Sequence, residues 1–157
     1  NKNLNQNYTY KFTDPASNLS LTRLVVISTR LTASASEAVM NGLKPYTNVV
    51  SIGDTTDGKP VGMHLWSVGE KYFLVPVTFK VINKNNEGDY FDGIAPGKVV
   101  ADDITHDFGD RNELCLKEAI HYLETGSYST KGSVPFYRYR QYSEKPDWMN
   151  NGLLLKK

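Results

Sequence analysis

Leu24-Val25-Val26-Ile27-Ser28 is a short, unbroken apolar run rich in β-branched residues, and Val49-Val50-Ser51-Ile52 is a second. Such runs fit strands covered on both faces, as in a parallel sheet. Between them, Ala35, Ala38, Val39, Gly42, Leu43 and Tyr46 recur at helical spacing and form one apolar stripe. Pro45 lies near the end of that stripe and Asn48 follows it. Strand, helix and strand over 24–52 make a βαβ unit, which predicts an α/β fold.

Downstream, Gly53 to Pro60 reads as a loop and Val61 to Val68 as a strand. Phe73, Val75, Val77, Phe79 and Val81 alternate as one long amphipathic strand. Gly69-Glu70 between the two predicts a hairpin. Asn83 to Asp89 is a polar turn, and Gly93 to Gly97 is a loop. Leu116, Ala119, Ile120 and Leu123 form a second helical stripe, with Gly126 placed to stop it. Upstream, Asn1 to Asn7 is polar and expected to be loosely held. Tyr8, Tyr10 and Phe12 alternate with polar residues as in a short strand before a turn at Asp14-Pro15. Ser127 to Lys157 is a polar, aromatic-rich tail.

Composition narrows the function classes. The 157 residues, 39% apolar and 22% charged, suffice for one soluble domain with a core. A formal net charge of +1 gives no electrostatic argument for nucleic acid or an anionic membrane as partner. No run approaches a membrane span, so no transmembrane segment is expected. The single Cys115 excludes an internal disulfide and reads as a small buried apolar residue beside the second stripe. His64, His106 and His121 lack ligand spacing, so neither a metal nor another cofactor is expected. The chain begins with Asn1 rather than Met, which suggests the C-terminal part of a longer protein.

Two segments carry chemistry. Thr32-Ala33-Ser34-Ala35-Ser36-Glu37 lies between the first buried strand and the helix. Ser34 followed three residues later by Glu37 is a capping-box pattern, and a helix cap is the plainer reading. The same turn would present a serine hydroxyl at the sheet edge, where first-turn amides and the helix dipole stabilise a developing oxyanion. Gly53-Asp54-Thr55-Thr56-Asp57-Gly58-Lys59 matches most of a phosphate-binding loop. Pro60 stands where that loop needs Ser or Thr, and a strand follows where it needs a helix, so nucleotide binding is not expected. Lys59 reads either as a solvated loop residue or as a lysine that burial keeps neutral enough to accept a proton. Phe136-Tyr137-Arg138-Tyr139-Arg140-Gln141-Tyr142 interleaves aromatics with arginines but lacks the wider basic patch of a nucleic-acid binder.

Together the motifs resemble the C-terminal processing peptidases, the tail-specific proteases of serine–lysine peptidase family S41. Thr32-Ala33-Ser34-Ala35-Ser36-Glu37 is similar to the nucleophile motif G-T-A-S-A-S-E, with Leu31 in place of its first Gly. Asn41-Gly42-Leu43-Lys44-Pro45-Tyr46 resembles the helix end that follows it. Ile52 to Lys59 resembles the lysine motif G-E-x-T-x-G-K, twenty-five residues from serine to lysine, and Asp92-Gly93-Ile94-Ala95-Pro96 the later D-G-I-x-P segment. Lys44-Pro45-Tyr46 and Gly58-Lys59-Pro60-Val61-Gly62 resemble the Bacteroidetes-type branch.

The resemblance covers about residues 21–126, with 127–157 as a C-terminal extension. It implies an α/β fold, part of a ClpP/crotonase-like core built on the βαβ unit, with an appended β hairpin and C-terminal helix. It implies Ser34 as nucleophile, Lys59 as general base and the Ala35 backbone N–H as an oxyanion donor. Ser36 does not align with the nucleophile. The implied activity is endopeptidase cleavage of unfolded or C-terminal polypeptide segments through an acyl-enzyme, without cofactor. The implied location is that of an exported bacterial protein, periplasmic or an outer-membrane lipoprotein.

Besides Leu31, four features depart from the family pattern. Met63 stands where many members carry a Gln that orients the lysine, and Pro45 where others carry an Asp. The upstream Gly-Gly segment, which supplies the second oxyanion donor, and the PDZ domain are not in this sequence. These departures leave a second expectation open, a catalytically impaired relative or inactive fragment that binds peptides.

Overall fold

A computed structural model describes residues 19–130. Its elements are β1 (Arg23–Ser28), α1 (Ala35–Leu43), β2 (Asn48–Gly53), β3 (Val61–Met63), β4 (Trp66–Val68), β5 (Tyr72–Leu74), β6 (Val77–Lys80), β7 (Lys98–Val99) and α2 (Leu114–Thr125). The βαβ reading holds. β1 and β2 pair parallel from Arg23 opposite Asn48 to Ser28 opposite Gly53, and α1 lies in the crossover that parallel neighbours require. β7, too short to show any periodicity, pairs parallel with the far side of β2.

The core sits on the central strand. Val50 and Ile52 of β2 meet Val100 and, from α2, Cys115 and Ala119. Val25, Leu114, Tyr122 and Tyr128 pack around them. Ile52 is fully buried, and burying such a side chain contributes about 1.5–3 kcal/mol. α2 is held at both ends. The Glu113 carboxylate accepts the amides of Cys115 and Leu116, and Gly126 closes the last turn at φ 74° with its N–H on Tyr122 O. That glycine stop was legible in the sequence.

Other expectations are corrected. Among the described residues β1 is an edge strand, and only Ser28 of it is buried. Helix α1 buries Glu37, Met40 and Asn41, while Val39 and Tyr46 of the apolar stripe are exposed. The buried set lies two residues on, about 200° around the helix. Polar partners set that rotation: Asn41 donates to Glu87 O and accepts from Asn83, and Glu37 is tied into the loop before β3. In α2 the buried face is Cys115, Glu118 and Ala119, one residue off the expected stripe, and Leu123 is exposed. There Glu118 accepts both the amide and the hydroxyl of Ser129.

The hairpin forms as expected, turning at Gly69 with φ 60°. Its two long strands are each broken. β3 pairs with β6 and β4 with β5, with a bulge between Gly62 and Met63. Pro76 has no N–H to give the ladder, which interrupts the second strand. Most of the arm is exposed, including Met63, Leu65, Trp66, Val68, Leu74, Val77 and Phe79. The strand expected at Tyr8 to Phe12 and the aromatic run from Phe136 lie outside the described residues.

Candidate active site

Two loops leave the carboxyl ends of the parallel neighbours β1 and β2, the edge where open α/β sheets place their sites. The ends of the strands are locked together. Asp54 N–H donates to Ser28 O at 2.8 Å, and Ser28 Oγ donates to Asp54 O at 2.9 Å. Gly53 sits at φ 123°, and a Cβ there would run into the Ser28 carbonyl oxygen. Only glycine permits both the backbone angle and the close approach.

The loop after β1 makes a tight turn, with Thr32 N–H on Thr29 O. It ends at Ser34, whose φ of 54° and ψ of −110° are strained for a residue with a side chain. Such conformations cost on the order of 1–3 kcal/mol and concentrate at functional sites. A strained serine between strand and helix is also the form of a nucleophile elbow. Ser34 is the N-cap of α1. A capping box links it to Glu37, and its firm half is the Ser34 N–H donating to Glu37 Oε2 at 2.8 Å. The serine hydroxyl faces the box without making a cap hydrogen bond of ordinary geometry. Ala35 and Ser36 are exposed in the first turn, where helix amides lack intrahelical acceptors. Ser36 N–H donates to Ala33 O.

Glu37 does far more than cap. Its side chain is fully buried, and four donors converge on it. Oε2 accepts the amides of Ser34 and Lys59, each at 2.8 Å. Oε1 accepts Thr56 Oγ1 at 2.5 Å and the Gly58 amide at 2.7 Å. A carboxylate has about four acceptor sites, so this one is saturated. Two bonds of 2.8 Å to one oxygen leave the Ser34 and Lys59 nitrogens at most about 5.6 Å apart. Asp57 N–H on Thr32 O, at 2.9 Å, ties the same two loops a second time. Burial pushes the Glu37 carboxyl upward, but the bonds from Thr56, Lys59, Gly58 and Ser34 outweigh it and hold the group below its ordinary value.

The segment 90–96 forms the floor beneath the lysine loop. Thr56 N–H donates to Ile94 O, and Ile94 N–H donates to Thr56 Oγ1 at 2.7 Å. Gly58 and Gly93 both have positive φ, and a Cβ on either would strike the other loop's backbone. The Tyr90 hydroxyl is buried and has no hydrogen-bond partner among the described residues. Burial, and then the charge of Glu37, push its ionisation upward.

The structure thus brings together the loops of Ser34, Ala35 and Lys59. Ser34 Oγ and Lys59 Nζ are not hydrogen-bonded to each other, and Lys59 is half-buried. Met63 is on exposed β3 and Pro45 lies beyond the end of α1. Neither contributes a polar group. Sequence reasoning saw Glu37 only as a helix cap. The signal for more was its place as the final letter of the nucleophile motif. Among the described residues no group of three or more His, Cys, Asp or Glu is arranged to hold a metal. His64 pairs with Thr78 Oγ1 and His106 with Asp103, both on exposed surface.

Comparison with known proteins identifies a family. The sequence model of peptidase family S41 matches residues 1–100. No curated protein matches. Among solved structures, the chain is similar to an S41-type protein from Bacteroides fragilis NCTC 9343, with 30% identity and a TM-score of 0.64. That likeness covers 70% of this chain and 30% of the other, so the chain spans about a third of its neighbour's length. The fold, the order of the serine and lysine loops and the match over 100 of 157 residues converge: the chain belongs to peptidase family S41.

Proposed function

We propose that the protein of which this chain is part is a serine endopeptidase working through a Ser34–Lys59 dyad. The observation that carries this reading is the single Glu37 oxygen that holds the amides of both residues. Lys59 in its neutral form takes the Ser34 proton as Oγ attacks the substrate carbonyl. The Ala35 N–H and the amino end of α1 stabilise the oxyanion. The tetrahedral intermediate collapses to an acyl-enzyme, the lysine passes its proton to the leaving amine, and water then releases the acyl group. The reactive residues are half-buried at the carboxyl edge of the sheet beside the exposed Ala35 and Ser36, an edge that suits an extended, unfolded polypeptide or chain terminus as substrate. The reading also expects an exported bacterial protein, periplasmic or anchored as an outer-membrane lipoprotein.

The test is hydrolysis of an unfolded labelled polypeptide by the full-length protein and by its Ser34→Ala and Lys59→Ala variants. Loss of hydrolysis in both supports the dyad, and wild-type rates in both would sink it. A second reading, a peptide-binding relative without turnover, draws on one observation: Ser34 Oγ and Lys59 Nζ do not meet, and Met63 offers no group to direct the lysine. Peptide binding by a full-length protein that never hydrolyses its ligand would favour it.

A further inference from the structure

Thr56 makes three hydrogen bonds to two different parts of the fold, and the logic of donors and acceptors fixes the direction of each. Its hydroxyl oxygen lies 2.7 Å from Ile94 N and 2.5 Å from Glu37 Oε1. A backbone N–H can only donate, so the hydroxyl accepts there. Its single proton must therefore point at Glu37, whose ionised carboxylate can only accept. The Thr56 amide completes the clasp on Ile94 O at 3.2 Å. Thr56 is 5% exposed, and all of this is shielded from water.

We propose that Thr56 is a positioning residue for the Ser34–Lys59 site: its hydroxyl fixes the rotation of the Glu37 carboxylate, and so the spacing of the two reactive loops, against the floor at Ile94. Without the hydroxyl, Oε1 keeps only the Gly58 amide, and three bonds instead of four hold the rotation of the carboxylate. Oε2 then holds the Ser34 and Lys59 amides with a wider range of carboxylate rotation, and the spacing of the two loops is less sharply set. Substrate contacts are untouched, because the Thr56 side chain is buried within the lysine loop. The effect therefore falls on turnover rather than on binding. It also falls on pH dependence, since the Thr56 bond helps keep Glu37 ionised.

This inference rests on the peptidase reading above, and the experiment separates the two. The full-length protein is compared with Thr56→Val, which keeps the shape and removes the hydroxyl, and with Thr56→Ser, which keeps the hydroxyl. Hydrolysis of an unfolded labelled polypeptide is followed across pH. Thr56→Val is expected to lower kcat about tenfold or more while KM stays within about twofold, as for one lost positioning bond. Its acid limb moves to higher pH. Thr56→Ser is expected to recover kcat to within about threefold of wild type. A wild-type kcat and acid limb in Thr56→Val, with Ser34→Ala inactive, would overturn the role of Thr56 and leave the dyad standing. A wild-type rate in Ser34→Ala would overturn the peptidase reading itself. If Thr56→Val does not fold, Thr56→Ser decides alone: near-native kcat supports the role, and a loss of about tenfold despite the retained hydroxyl overturns it.

Discussion

Replacing Glu37 by Gln changes one atom and tests the whole arrangement. The carboxylate accepts four hydrogen bonds, two at each oxygen. Glutamine keeps one oxygen and presents an NH2 group in place of the other. If the retained oxygen faces Thr56 and Gly58, the new donor faces the Ser34 and Lys59 amides. Two buried N–H groups then lose their acceptor and meet a third donor. Each orphaned donor costs about 1–3 kcal/mol, so the penalty in this rotamer is about 2–6 kcal/mol. Flipping the amide leaves one orphaned donor instead of two: the Gly58 amide meets the NH2 group, while the Thr56 hydroxyl can accept from it only by turning its own proton away. Urea unfolding of the full-length protein at pH 7 measures the loss. The pH dependence adds a second reading. The folded Glu37 lies below its unfolded value of 4.5, so its contribution is complete above that value. It fades as pH falls through the lower folded pKa, and Glu37→Gln should lack that acid-range component. A variant within about 1 kcal/mol of wild type, less than one orphaned donor, would refute the reasoning.

Two further outcomes follow from single residues. Tyr90→Phe removes a buried hydroxyl that has no partner among the described residues, so stability should stay level or rise by up to about 1 kcal/mol in urea unfolding. A clear loss would mean the hydroxyl has a partner in the full-length protein. Cys115 is 1% exposed, and burial first, then neighbouring acidic groups, push its thiol up to about 12. In the native protein at pH 8 it should resist iodoacetamide and react only after unfolding, and prompt native alkylation would contradict its placement.

Much of this was legible because it is local. β1 and β2 announce themselves as apolar runs, Gly126 as a helix stop and Gly69 as a hairpin turn. The serine and lysine motifs fixed their own order and spacing. The rest depends on contacts distant in sequence. Helix α1 has a clear apolar stripe, yet Glu37 and Asn41 outweigh it, because partners 19 to 46 residues away satisfy them. A capping box describes Glu37 by its neighbour three residues back and is blind to donors from the next loop. The hairpin looked like two unbroken strands, and Pro76 with the bulge at Gly62 divided it. β7 has only two residues, too few to leave any period in the sequence.

The central claim is that Ser34 is a nucleophile activated by Lys59. A serine-reactive phosphonate, applied to the full-length protein and mapped by mass spectrometry, tests it most directly. The account predicts a single adduct on Ser34, none in Ser34→Ala, and labelling slowed about 100-fold or more in Lys59→Ala, the scale of a lost general base. An adduct on Ser36 or elsewhere, or an undiminished rate in Lys59→Ala, would contradict it.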